Sequence, residues 1–368
     1  MASIMKGSPV DTKMDKSFWA LNNDLQNYCR TWHNEGTSFF YCNNPETLEP
    51  GDLADDGKFL TRNGVLGEGM VYTWHRNMTD KTIHSIILIH NPDIEPIQVT
   101  VTNIGLTNTS WGNDRNAWES YYNGGRNESV RVVPGGYASI LVQDNVANGN
   151  YFGKIAKFNI VYEGTNIPGY AYFYDLAYYR DSSSAHDFAI GDKPVELGKI
   201  NSRRRGVGNW YLNKLTVTQI KLTEEQPTRA VSIGGIYAQT DNFMDSFFGD
   251  DMVEIVGGSG RKDEHDTGYL YGSYGLPINM EFTIKNDTRQ NKEIRIFMGC
   301  ESTDVPVFAR YNGEFFRTAA DKEFLEKTYI RDVITLGTIA AGNSVSITFD
   351  TANLAMSAGA FFIGARLV

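Results

Sequence analysis

Two stretches far apart in the chain are written in the same way. From Ser85 to Val101 it reads SIILIHNPDIEPIQVTV, and from Asn279 to Met298 it reads NMEFTIKNDTRQNKEIRIFM. Each climbs through alternating apolar residues to an Asn, turns over a polar loop, and descends through alternating apolar residues. Alternation puts every second side chain on one face of a strand, so stretches of this kind bury one face each in a layered β structure.

The echo extends along the sequence. Asn91 lies against Asn286, Val99 against Ile294 and Val101 against Ile296 with no gap. Further on, VVPGGYASILV lies against TIAAGNSVSITF, so that Pro134-Gly135 meets Ala341-Gly342, Ala138 meets Val345 and Ile140 meets Ile347. The spacers between these blocks differ in length, which loops tolerate at small entropic cost. The pattern predicts an all-β chain of two tandem antiparallel β-sandwiches, jelly-roll or Ig-like, arising by internal duplication. The expected layout is an N-terminal helical or irregular segment over 1–39, a sandwich over 40–180, a polar linker over 181–209 and a second sandwich over 210–368. Within it, DKSFWALNNDLQNYC reads as a short helix and ESVRVVPGGYASILVQDN as a hairpin closed by Pro-Gly-Gly. Val99, Val101, Ile140, Ile294, Ile296 and Ile347 are the expected core.

Composition agrees with this class and limits the partners. The 368 residues include 20 Tyr, 20 Phe and 36 Gly, a balance of strand formers and turn formers. A net charge of -10 argues against a nucleic-acid partner, since phosphates are neutralised by Lys and Arg. It is compatible with cation binding and with association triggered by acid. No apolar run reaches the ~18 residues of a membrane helix, so membrane insertion is not expected. The start, MASIMKGSPVDTKMDKSFW, lacks the apolar core of a secretory leader. Three cysteines, Cys29, Cys42 and Cys300, form no disulfide framework, although Cys29 and Cys42 could pair across a loop. The sequons at Asn77, Asn108, Asn127 and Asn286 are short motifs that arise by chance.

The chemistry-bearing residues are sparse. No nucleophile elbow, P-loop or metal-binding histidine frame occurs, and no catalytic residue is nominated. Of the six histidines, His75, His84 and His90 fall on or beside neighbouring strands and could converge. Asp263, Glu264 and Asp266 in a Gly-rich loop could offer oxygen ligands to Ca²⁺, without an EF-hand pattern. The segment LTNTSWGNDRNAWESYYNGGRN carries Trp111, Trp118, Tyr121 and Tyr122. Exposed rings of this kind stack on sugars or anchor protein interfaces, whereas a loop folded onto its own sandwich would bury them. Arg203, Arg204 and Arg205 form the one basic cluster, suited to an acidic surface of a neighbouring copy or to a solvated linker.

The stretches YCNNPE, NPDIEPIQVTVTNIG, VVPGG and GYLYGSYGLPINMEFTIKN together resemble secreted, repeat-containing β-proteins of spore-forming Gram-positive bacteria, over residues 40–368. The chain departs from that group in showing no leader. The resemblance implies a secreted or surface-associated protein and carries over no activity, so no residue inherits a catalytic role from it. The expected function is therefore a non-catalytic structural protein that self-assembles through its sandwiches at a spore, cell or particle surface. The alternatives are a carbohydrate-binding or adhesive module using the aromatic loop, and a hydrolase with a dispersed site.

Overall fold

The structure, a computed structural model, describes residues 2–5, 12–13, 30–43, 45–53, 58–110, 114–179, 198–199, 207–233, 275, 277–300, 308–316, 329–352, 354–355 and 361–368. It is all-β with one described helix. The early strands are β1 (Ser3–Ile4), β2 (Thr12–Lys13), β3 (Arg30–Cys42) and β4 (Thr47–Leu48). Next come β5 (Lys58–Leu66), β6 (Glu68–Asn77), β7 (Ile83–His90) and β8 (Ile97–Thr109). Helix α1 (Arg115–Tyr122) precedes β9 (Arg126–Val132), β10 (Tyr137–Val146), β11 (Tyr151–Tyr162) and β12 (Tyr170–Tyr179). Then follow β13 (Gly198–Lys199), β14 (Val207–Leu222), β15 (Thr228–Ile233), β16 (Pro277–Asn286) and β17 (Lys292–Cys300). The chain ends with β18 (Ala309–Tyr311), β19 (Glu314–Phe315), β20 (Tyr329–Ile339), β21 (Ser344–Ala352) and β22 (Phe361–Leu367). Among the described residues no helix is long and apolar enough to cross a membrane.

Two compact units are present. One comprises residues 36–211 with 248–269, the other residues 1–35, 212–247 and 270–368. The described early strands β1 and β2 pair with β20. The expected helix over 15–29 lies outside the described residues.

In the unit 36–211, one sheet runs β10-β7-β12-β5-β13 and the other β3-β6-β11-β8-β9, with β4 beside β6. Strands β5 to β8 and β9 to β12 alternate between the sheets, which is the eight-strand jelly roll. Phe40, Val71, Ile87, Ile89, Val99, Val101, Ile140, Phe158, Ile160 and Phe173 fill the space between the sheets as one cluster. One correction concerns β9 and β10. They do not form a hairpin: β9 pairs with β8 and β10 with β7. Pro134-Gly135 reverses the chain, but the reversal carries it from one sheet to the other.

The second unit has the same strand order. One sheet runs β1-β20-β17-β22-β15, with β2 also on β20, and the other runs β14-β16-β21-β18-β19. Thus β15 to β22 stand where β5 to β12 stand, and β14 runs parallel to β16 as β3 runs parallel to β6. All six expected core residues are buried.

The turns fix the correspondence. Asn77 is buried at the end of β6, and its Nδ2 donates to the carbonyls of Lys81 and Val146, each at 2.9 Å. Its Oδ1 accepts from the backbone N–H and hydroxyl of Thr79 at 3.0 and 2.6 Å. Its own N–H donates to Asn150 O, and Gly149 N–H donates to its carbonyl. Asn286, at the end of β16, repeats every one of these bonds, with Gln290, Ile339, Thr288, Asn343 and Gly342. Gly149 and Gly342 sit at φ +87° and +75°, a conformation that costs Gly nothing and other residues strain. The partner of Asn286 is therefore Asn77. The pairing with Asn91 read from the sequence is off by one corner, because Asn91 makes a similar turn with Glu95, Val132 and Gly136. The sequons at Asn77 and Asn286 are accounted for too. Both amides are buried, with their donors committed to carbonyls.

Candidate functional site

The aromatic segment is not a loop throughout. It contains α1, which packs against β8 where Gly105 permits close approach: a Cβ there would lie 2.0 Å from Ala117 O. Replacing Gly105 by Ala will displace α1 and cost about 1–3 kcal/mol through overpacking. Denaturant midpoints and tryptophan fluorescence check this, and an unchanged midpoint would show that the helix docks differently.

Trp118 and Tyr121 are buried and Tyr122 is half-buried. Trp118 Nε1 donates to Asp114 Oδ2 at 3.1 Å, and Tyr72 OH donates to the same oxygen at 2.8 Å. The Trp118 ring stacks on Tyr72 at 6.3 Å, and Tyr72 on Tyr41 at 5.7 Å. These rings hold the helix on its own sheet, so Trp118 and Tyr121 do not offer the exposed surface expected of a ligand or interface loop. The physical reason is that a short helix holds its place only by burying its apolar face. Trp111, the Arg203–Arg205 cluster and the Ca²⁺ candidates Asp263, Glu264 and Asp266 lie outside the described residues, as do Cys29, His186 and His265.

The three histidines do not converge either. Alternation along β7 sends His84 and His90 to the outer face, where His84 meets Asp144 and stacks on Tyr178, and His90 stacks on Tyr137. His75 points into the sandwich.

Around His75 the structure gathers a group that sequence reasoning missed. Cys42, His75, Ser85, Lys154 and Asp175 come from β3, β6, β7, β11 and β12, and each is wholly buried. Lys154 reaches across from one sheet to the other. Its Nζ donates to Ser85 Oγ at 2.5 Å and lies 3.1 Å from Asp175 Oδ1. His75 Nε2 lies 2.8 Å from Asp175 Oδ2, and Nδ1 lies 2.6 Å from Pro45 O. A carbonyl only accepts, so Nδ1 carries a hydrogen. A proton must then also lie between Nε2 and Oδ2, or two lone pairs would face each other. Burial alone would push the Asp175 carboxyl up, but the charges of Lys154 and His75 and their hydrogen bonds hold it below the usual range. The Phe152 ring packs 5.3 Å from His75 and 5.8 Å from the Lys154 ammonium.

Cys42, His75 and Asp175 place their ligand atoms within 4.8 Å of one another, a spacing that could hold a metal ion. Both Asp175 oxygens and both His75 nitrogens are already engaged, however, and the Lys154 ammonium abuts the carboxylate. A cation would have to displace a cation, so the geometry favours an ion cluster over a metal centre.

The second jelly roll supplies an internal control. Lys154 faces Thr73 on β6, as Ile347 faces Phe282 on β16. Extending these registers from the Asn corner, His75 corresponds to Ile284, Ser85 to Ile294, Asp175 to Ala365 and Cys42 to Val217. All five equivalents are apolar and buried. The same topology is thus built with hydrocarbon where the first unit buries ions, each of which carries a desolvation penalty of several kcal/mol in order of magnitude. The fold does not require the cluster.

A second feature lies at one end of the unit 36–211. The links β5–β6, β7–β8, β9–β10 and β11–β12 are tied together there by Gly67 N–H to Gly169 O, Glu163 N–H to Pro96 O and Gly135 N–H to Asn91 O. In or beside each link stands one large apolar residue in solvent: Leu66, the last residue of β5, at 58%, Ile94 at 84%, Val133 at 41% and Ile167 at 60% exposure. No signal in the linear pattern gathers these residues, because each sits alone in its own turn.

Comparison with known proteins gives no family. No family model and no curated protein matches the chain. Among solved structures, the multicopper oxidase Fet3p, described as functioning in iron import, aligns at 9% identity and a TM-score of 0.11. It is covered over 52% of its length, against 84% of this chain. A multicopper oxidase from Campylobacter jejuni aligns at 10% identity and 0.09, over 77% of this chain and 48% of that one. The chain spans about half the length of these structures, and similarity this low carries no argument.

Proposed function

We propose that the chain is a non-catalytic structural subunit that assembles with copies of itself into the coat of a particle or a surface layer. The observation that carries this reading is the loop end bearing Leu66, Ile94, Val133 and Ile167. Isolated exposed apolar residues are ordinary, but four on hydrogen-bonded neighbouring links present a patch suited to desolvation by a partner. The partner proposed is a second copy. A chain of two jelly rolls with one strand order offers repeated like surfaces to its copies, which favours regular assembly. The jelly roll also builds virus capsid and lectin domains, an analogy of fold that carries less weight than the patch. The carbohydrate-binding alternative rested on the aromatic segment, and Trp118 and Tyr121 turn inward. An extracellular, spore or particle surface is the proposed location.

At a net charge of -10, copies repel one another, so assembly is expected to strengthen with added salt or mild acid. Sedimentation of the parent chain across salt and pH should show large species that Ile94→Asp with Ile167→Asp reduces to monomers. A parent that stays monomeric under every condition removes the proposal. A double variant that assembles like the parent moves the contact elsewhere.

A further inference from the structure

The buried cluster has a chemical capacity that neither assembly nor folding uses. We infer that Lys154 and Asp175 condense into an intramolecular amide, a covalent bond between the two sheets of the first jelly roll. Four observations meet here. The amine nitrogen and a carboxylate oxygen are 3.1 Å apart, and both side chains are shut off from water. His75 stands on the other carboxylate oxygen with a proton available to it. Ser85 holds the amine in place from the opposite sheet. The second jelly roll shows that the five positions can all be apolar, so this set of functional groups is not a demand of the topology.

The step balances without a further reactant. Lys154 Nζ passes one proton to Asp175 Oδ1 across their contact, which leaves a neutral amine beside a neutral acid. The nitrogen lone pair attacks Cγ and the C–N bond forms. The carbonyl electron pair moves onto Oδ2, where His75 Nε2–H donates to the developing oxyanion. When the carbonyl re-forms, the C–Oδ1 bond breaks. The departing hydroxyl takes the second proton from nitrogen and leaves as water. Nothing is oxidised or reduced, and His75 ends as it began. Held at contact distance, the two groups act as if at a very high effective concentration, on the order of 10⁵ M or more. The dry core also withholds the water that would reverse the reaction. Two buried charges become one neutral amide, which relieves their desolvation cost. His75 is in this account a catalytic residue, and Ser85 a positioning residue.

Peptide mapping of the full-length chain, unfolded and digested with trypsin, tests this. The expected product is a branched peptide that joins the Lys154 and Asp175 segments, one water lighter than their sum, with no cleavage after Lys154. Asp175→Asn should give the same branched peptide, since a side-chain amide at that carbon expels ammonia in place of water. Lys154→Arg should give none. His75→Gln should form the branch several-fold more slowly in freshly refolded protein. Recovery of separate, unmodified Lys154 and Asp175 peptides from folded parent protein overturns the proposal. That result stands whether or not any variant folds, and whether or not the chain assembles.

Discussion

In freshly refolded protein, before the Lys154–Asp175 amide has formed, Asp175→Ala should lower stability by about 3–5 kcal/mol relative to the parent, because it leaves the Lys154 ammonium and the His75 ring buried without their shared carboxylate. The denaturant midpoint should fall accordingly. Replacing the whole group by its counterparts, Cys42→Val, His75→Ile, Ser85→Ile, Lys154→Ile and Asp175→Ala, should recover most of that loss. Buried ion sets exchanged for well-packed hydrocarbon are often neutral to stabilising by about 1–4 kcal/mol. If the five-fold replacement is as unstable as the single one, the positional equivalence of the two jelly rolls is wrong. The pH dependence has a definite sign. While it is uncondensed, the folded Asp175 carboxyl is held below its ordinary value, so its contribution is present at neutral pH and disappears as pH falls through that lowered value. The gap between parent and Asp175→Ala should therefore narrow only in acid below the ordinary carboxylate range.

Asn286→Ala should cost about 3 kcal/mol or more. It removes a wholly buried amide whose donors serve the part-buried carbonyls of Gln290 and Ile339 and whose oxygen accepts from the buried Thr288, and each lost bond or orphaned group of this kind costs about 1–3 kcal/mol. Asn77→Ala should cost a similar amount, since the two corners make the same bonds. Asn286→Asp should cost nearly as much as Asn286→Ala, because a carboxylate in that place has no N–H to give to Gln290 and Ile339. Equal midpoints for Asn286→Ala and the parent would show that the corner carries no stability.

The strand faces were legible in the sequence, since Val99, Val101, Ile294 and Ile296 lie where alternation puts them. The repeated turn was legible as chemistry but not as position. Asn77 and Asn91 close successive corners of one jelly roll with nearly the same bonds, and an ungapped match cannot tell which of them Asn286 copies. The hairpin reading of β9 and β10 failed because turn residues report that the chain reverses and not which sheet receives it. The ion cluster was not legible. Lys154 within GKIAKF looks like any outward charge on a strand, and only the facing sheet shows that Asp175 and Ser85 await it. The same holds for Leu66, Ile94, Val133 and Ile167, which share one end of the unit only when four turns are brought together.

The pairing of β1 with β20, Ser3 opposite Thr335, has a consequence for the order of events during synthesis. Strand β1 leaves the ribosome early, yet its partner is made more than three hundred residues later. At roughly 5–20 residues per second, β1 waits some tens of seconds with its backbone donors and acceptors unmet. Strands β5 to β12, by contrast, find one another within residues 58–179, so the first jelly roll can close while the second is still being made. Strand β1 can therefore join its sheet only after β20 has emerged.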